Sequence, residues 1–217
     1  MTAGLSVARP RRRFARESPH MTDAIGRLIA LGRTESDRAL LRQALLDLDT
    51  NDGLAAKMTA EPMLGDVMAE FIGRLIRAYG SLVAIRAQVV LDIACGSNSS
   101  RSPVTGRRTV AFEPWMCRLL AALGGRPFGL EIGDLDRERF EHHHVDLGIP
   151  GALDFLPSAS FDAIHESRLF GAPEFRSVYG AAYDRVRAEI TRQEARLLKP
   201  GGILIHSDAY DRTQGRR

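Results

Sequence analysis

Residues 81–217 predict an α/β fold, a doubly wound and mostly parallel sheet of about five strands, preceded over residues 21–80 by a helical segment. Two observations carry this. Up to Gly80 the apolar residues recur at helical spacing and no convincing strand appears. Beyond Gly80, short apolar runs alternate with turns and helical stretches, the pattern of a parallel sheet with helices on both faces.

Within the helical segment, Thr34 and Asp37 resemble a capping box in front of Leu40, Leu41, Ala44, Leu45 and Leu48, which share one face. Residues 51–53 then break the helix. A second amphipathic helix starts near Pro62, carries Leu64, Val67, Met68, Phe71, Ile72, Leu75 and Ile76, and ends at Gly80. Both stripes read as core, Met63 and Met68 included.

The apolar runs beyond Gly80 are residues 89–93, 127–132, 141–145, 161–165 and 202–206. The second has a rival in TVAFE, ending at Glu113, and chain geometry decides between them. A parallel crossover needs a helix between strands one and two. SNSSRSPVTGRR, residues 97–108, is too rich in serine, proline and glycine to be one. Residues 114–123 serve better, with proline in the first turn, Trp115, Leu119, Leu120 and Leu123 apolar, and Gly124 and Gly125 as the stop. Strand two is therefore expected over 127–132, with residues 97–108 as an inserted loop and Glu113 as a helix-terminus carboxylate.

Composition narrows the function classes. The 217 residues are 44% hydrophobic and 26% charged, which fits a globule and excludes collagen-like and wholly disordered chains. No apolar run approaches the roughly 18 to 20 residues that span a bilayer. Five arginines against Glu17 give residues 1–20 a charge of +4, and taking this from the +3 of the whole chain leaves the remainder at −1. The expectation is a disordered basic tail, with Met21 as an alternative start, and a body without the basic excess that nucleic-acid binding needs. Two cysteines and no secretory apolar region point to the cytoplasm.

In a parallel sheet, ligands bind beyond the carboxyl ends of the strands. After the first run comes Asp92-Ile93-Ala94-Cys95-Gly96-Ser97-Asn98, an acid at a strand end followed by a turn of small residues that lets a ligand approach the backbone. A dinucleotide fingerprint needs three glycines, and Ala94, Gly96 and Ser99 supply one. A phosphate-binding P-loop is excluded, since no Gly-Lys-Ser/Thr occurs. His142, His143 and His144 alternate faces along a strand, so at most two could share an ion, and no metal site is expected.

VVLDIACGSN resembles the first motif of the class I S-adenosylmethionine-dependent methyltransferases, with Ala94 in place of its first glycine and Asn98 in place of its last. SASFDAIHESRLF resembles the fourth-strand motif of that family, and LLKPGGILIHSD its turn before strand five. The three stand in the family's order across residues 89–208, and residues 1–80 lie outside the resemblance. It implies a Rossmann-like domain that binds S-adenosylmethionine through Asp92, Ala94, Cys95, Gly96 and Asn98. It further implies an acid at the end of strand two on the ribose hydroxyls, Glu131 by the strand assignment above with Glu113 as the fallback, Asp146 after strand three as acceptor for the adenine amine, and Leu147 against the ring. Asp92 and Glu131 are 39 residues apart, against roughly 20 usually, which the inserted loop accounts for.

The donor methyl is already activated on a sulfonium, so positioning supplies most of the rate, and a base is needed only for a protonated acceptor. His165 is the first candidate base and Glu166 the second, followed by His206 and Asp208; each is otherwise a hydrogen-bonded strand-end residue. Motifs of the amino-directed and cytosine-C5 nucleic-acid methyltransferases are absent from the sequence, so the expected acceptor is a small molecule. Only residues 209–217 follow the fifth run, too few for the family's antiparallel hairpin. Two further expectations follow: a homodimer through residues 202–210, and, as the alternative function, a non-catalytic cofactor-binding or interaction module.

Overall fold

The computed structural model describes residues 19–101, 106–167, 169–171 and 173–207. The tail expected over 1–20 lies outside the described residues as far as residue 18, and so do Pro103, Arg168 and Asp208. Four helices make the N-terminal segment: α1 (Pro19–Ile29), α2 (Glu35–Asp52), α3 (Leu54–Ala60) and α4 (Met63–Tyr79). The capping box forms as its spacing predicts, Thr34 accepting from the Asp37 N–H and Asp37 from the Thr34 N–H. Asp37 does more than cap: its other oxygen accepts from Ser81 Oγ at 2.7 Å and the Leu82 N–H at 2.8 Å, tying α2 to the approach to the sheet. Gly53, at φ 67°, ends α2 and starts α3, so the expected break is a corner between two helices.

The sheet consists of β1 (Val89–Ile93), β2 (Arg126–Glu131), β3 (Glu141–His144), β4 (Phe161–Ser167) and β5 (Leu198–Ser207). The order is β3-β2-β1-β4-β5 and every neighbouring pair is parallel. This is the Rossmann-like α/β architecture the sequence predicts, consistent with that of the class I methyltransferases. The order reverses between β1 and β4, the place where such sheets open a crevice at their carboxyl ends. The predicted helix between strands one and two is α5 (Trp115–Ala122), and α6 (Pro173–Tyr179) and α7 (Tyr183–Leu197) join β4 to β5. The links from β2 to β3 and from β3 to β4 are turns, not the helices that full alternation would have put there.

Side chains alternate across the sheet and divide the core in two. On one face Val90, Ala163 and Ile205 meet α1, α2, α4 and α5 through residues such as Leu45, Leu75 and Leu120. On the other, Leu91, Ile93 and Ile164 meet α7 through Val186, Ile190 and Leu197. The N-terminal helices therefore share a core with the sheet. Among the described residues, no helix is long and apolar enough to cross a membrane.

Candidate functional site

The turn after β1 is tight and twice enters the left-handed region. Ala94, where the family has glycine, lies at φ 55°, in the left-handed region that glycine favours. Gly96 lies at φ 95°, and a Cβ there would collide with the Phe112 carbonyl, so only glycine fits between this turn and the segment leading to α5. The Gly96 N–H points across to β2 and donates to Glu131 Oε2 at 3.0 Å. Glu131 Oε1 accepts from the N–H groups of Ile132 and Gly133 at 2.9 and 3.2 Å, so one half-buried carboxylate organises both strand ends.

One strand further, Asp146 Oδ1 accepts from the Gly148 N–H at 2.8 Å and from the Tyr179 hydroxyl at 3.1 Å. Burial, followed by the hydrogen bond to Asp146, pushes the Tyr179 hydroxyl up to about 12, so it stays a donor. Leu147 is half-buried against the α7-side core, and Ile132 is 51% exposed at the end of β2. The strand ends of β1, β2 and β3 thus bring together the 94–96 turn, Glu131, Ile132, Asp146 and Leu147.

Other predicted residues point elsewhere. Asp92 is 1% exposed and its side chain lies beneath the turn, where Oδ1 meets His165 Nδ1 at 2.6 Å and Oδ2 accepts from Cys117 Sγ at 3.4 Å. His165, also 1% exposed, has its Nε2 3.2 Å from Arg74 Nη1, and Arg74 in turn bonds Glu70 at 2.5 Å. Both ring nitrogens of His165 are therefore engaged, in a buried polar chain that runs from the centre of the sheet into α4. Cys95 packs with Cys117, Leu135 and Phe140. A hydrogen bond with Cys117 favours its thiolate, but burial and the nearby Asp92 carboxylate outweigh this and push the thiol up. Burial pushes Cys117 up further, so both stay protonated and poorly nucleophilic.

Asn98 turns its amide into a cluster of charges, donating to Glu138 at 2.8 Å and accepting from Arg118 at 2.8 Å. Glu113, the rival ribose acid, is the centre of that cluster. It accepts from Lys57 at 2.6 Å, Arg118 at 2.8 Å and Arg108 at 3.3 Å. Burial raises a carboxyl, but these cations more than offset it and hold Glu113 below its ordinary value. Glu166 lies on the opposite face of the sheet from His165, 2.6 Å from His206 Nδ1.

Sequence reasoning missed four residues of this region. Arg74 had a signal, a lone cation inside the apolar stripe of α4 and four residues after Glu70. Ile132 ends an apolar run and could have been read as uncovered. Tyr179, and Glu194 on the α7 side of the sheet, sit in helices with nothing local to mark them. The chain matches no family model, no curated protein and no solved structure.

Proposed function

We propose that the protein binds S-adenosylmethionine at the ends of β1, β2 and β3 and transfers its methyl group to a small-molecule acceptor. The observation that carries this reading is the Gly96 to Glu131 contact. It puts a left-handed small-residue turn and an acid on adjacent parallel strands beside the reversal of strand order. In this reading the backbone of 94–96 receives the amino-acid end of the cofactor and Glu131 the ribose hydroxyls. Asp146 accepts from the adenine amine, with Ile132 and Leu147 against the ring. The bound cofactor supplies an electrophilic methyl on a sulfonium. The side chains of Asp92, Cys95 and Asn98 are engaged elsewhere, Asp92 with His165 and Cys117, Cys95 with Leu135 and Phe140, and Asn98 with Glu138 and Arg118, and take no direct part.

His165 keeps its place as first candidate base only if Arg74 releases its Nε2, and Glu166 only for an acceptor that reaches the α7 face. An acceptor that is already a free nucleophile needs neither, and positioning suffices. A small acceptor fits the charge of −1 carried by residues 21–217. Calorimetric titration of the folded protein with S-adenosylmethionine and S-adenosylhomocysteine tests the reading, and binding of neither ends it.

The buried and doubly engaged His165 favours a second reading, a domain that keeps the cofactor site without transferring methyl groups. A screen of acceptors separates the two: methyl transfer that survives purification and is lost in Glu131→Ala removes the second reading.

A further inference from the structure

Away from the strand ends just described, a cavity of about 490 Å³ lies between α7 and the β4–β5 edge. Glu166 and His206 face each other across β4 and β5, and Glu194 reaches over from α7. Glu166 and Glu194 are 1% and 2% exposed. Glu166 Oε1 is held by His206, but Glu166 Oε2 and both oxygens of Glu194 are buried without a hydrogen bond. A buried acceptor left without a hydrogen bond is costly, and more so when charged, so three in one place destabilise the fold unless something fills them. The rest of the lining is largely apolar, with Phe170, Leu198 and Leu204 as its walls. Arg187 also lines the cavity, but its guanidinium lies over the Phe170 ring, 5.1 Å from the centroid.

Three orphaned carboxylate oxygens beside an apolar wall call for a ligand with several N–H donors, a positive charge and a hydrocarbon body. A bare metal ion fits poorly, because among the described residues no group of three or more His, Cys, Asp or Glu is arranged to hold one. We propose that this cavity binds a small organic amine in its cationic form, the ammonium held by Glu166 and Glu194 and the hydrocarbon part lying against Phe170, Leu198 and Leu204. An ammonium has three donors for three acceptors. The proposal does not depend on methyl transfer or on the cofactor site.

Burial pushes the Glu194 carboxyl up to about 7, with Glu166 raising it further and His206 opposing. A bound cation favours the carboxylate, so binding near pH 7 should release a proton from Glu194, with Glu166, His206 and Arg187 as the other charged groups facing it.

The test is calorimetric titration of the full chain with benzylamine, alongside benzyl alcohol as its neutral analogue and with leucine methyl shifts monitored. Benzylamine should bind saturably with proton release and shift Leu198 and Leu204. Benzyl alcohol, and benzylamine with Glu194→Gln, should each bind at least about tenfold more weakly, as expected for loss of one charged hydrogen bond. Leu204→Trp, which fills the cavity from a partly exposed position, should abolish binding and serves if the glutamine variant fails to fold. No saturable binding by benzylamine, equal binding of the alcohol, or full binding in both variants would overturn the proposal.

Discussion

Replacing Glu113 with alanine separates the two candidate ribose acids. The Glu113 side chain is 1% exposed and is gripped by Lys57, Arg118 and Arg108. Arg108 is 62% exposed and loses little, and Lys57, at 29%, regains water once released. Arg118, at 8% exposed, cannot, although it keeps Glu138 at 2.6 Å and Asn98 at 2.8 Å. The expected cost is therefore at the low end of that for breaking a buried pair, about 3 kcal/mol. For a chain of this size that is a fall of roughly 6 to 12 °C in the unfolding temperature. Circular dichroism reads that shift, and calorimetry on the same sample should find cofactor affinity little changed. Glu131→Ala should weaken S-adenosylmethionine by roughly 10- to 150-fold through loss of a charged hydrogen bond of about 1.5 to 3 kcal/mol, besides freeing the three backbone N–H groups it holds. If Glu113→Ala loses the affinity, keeps its unfolding temperature, and Glu131→Ala binds normally, the assignment of the ribose acid to strand two is wrong.

Four other outcomes are expected. Asp37 is pushed up by burial but held below its ordinary value by stronger bonds from Ser81, Leu82 and Thr34. Its stabilisation is thus complete above the ordinary carboxylate range and lost as pH falls through the lower folded value, so urea unfolding of Asp37→Asn should show a flatter acid limb than wild type. Glu194 has the opposite sign. Its folded pKa is raised to about 7, so stability falls as pH rises from its unfolded value towards 7, and Glu194→Gln should exceed wild type by about 3 kcal/mol at pH 8 and match it near pH 4. At φ 55°, Ala94→Gly should change stability by less than about 1 kcal/mol and Ala94→Val should cost more than that, which denaturant midpoints will show. Leu204 is 39% exposed on β5, which pairs only with β4 among the described residues, so light scattering at tens of micromolar should show a homodimer; a monomer with protected Ile203 and Ile205 amides would dispose of it.

The strands were legible because each run is bounded by turn residues, and strand two because the serine-rich loop could not be a helix while the segment at Trp115 could. The capping box at Thr34 was legible from spacing alone. The short helix α3 was not, since it follows Gly53 without a side-chain cap of its own. Position at a strand end was also easier to read than direction. Strands buried on both faces show no apolar alternation, so nothing in LDIACG or AIHES says which face Asp92, His165 and Glu166 take. Adjacent residues of β4 in fact face opposite ways, sending His165 towards Arg74 and Glu166 towards α7. Orphaned oxygens such as those of Glu194 depend on what does not arrive nearby, which no local pattern encodes.

The core shared by α4 and the sheet has a consequence for how the chain is made. Leu75 and Ile76 leave the ribosome early, yet they pack in the same cluster as Val90, Ala163 and Ile205. The last of these is synthesised roughly 130 residues later, which at about 5 to 20 residues per second leaves the apolar face of the helices waiting on the order of 6 to 26 s. For that interval the helices keep an apolar face uncovered, open to wrong partners, and the buried chain from Asp92 to Arg74 closes only when β4 arrives.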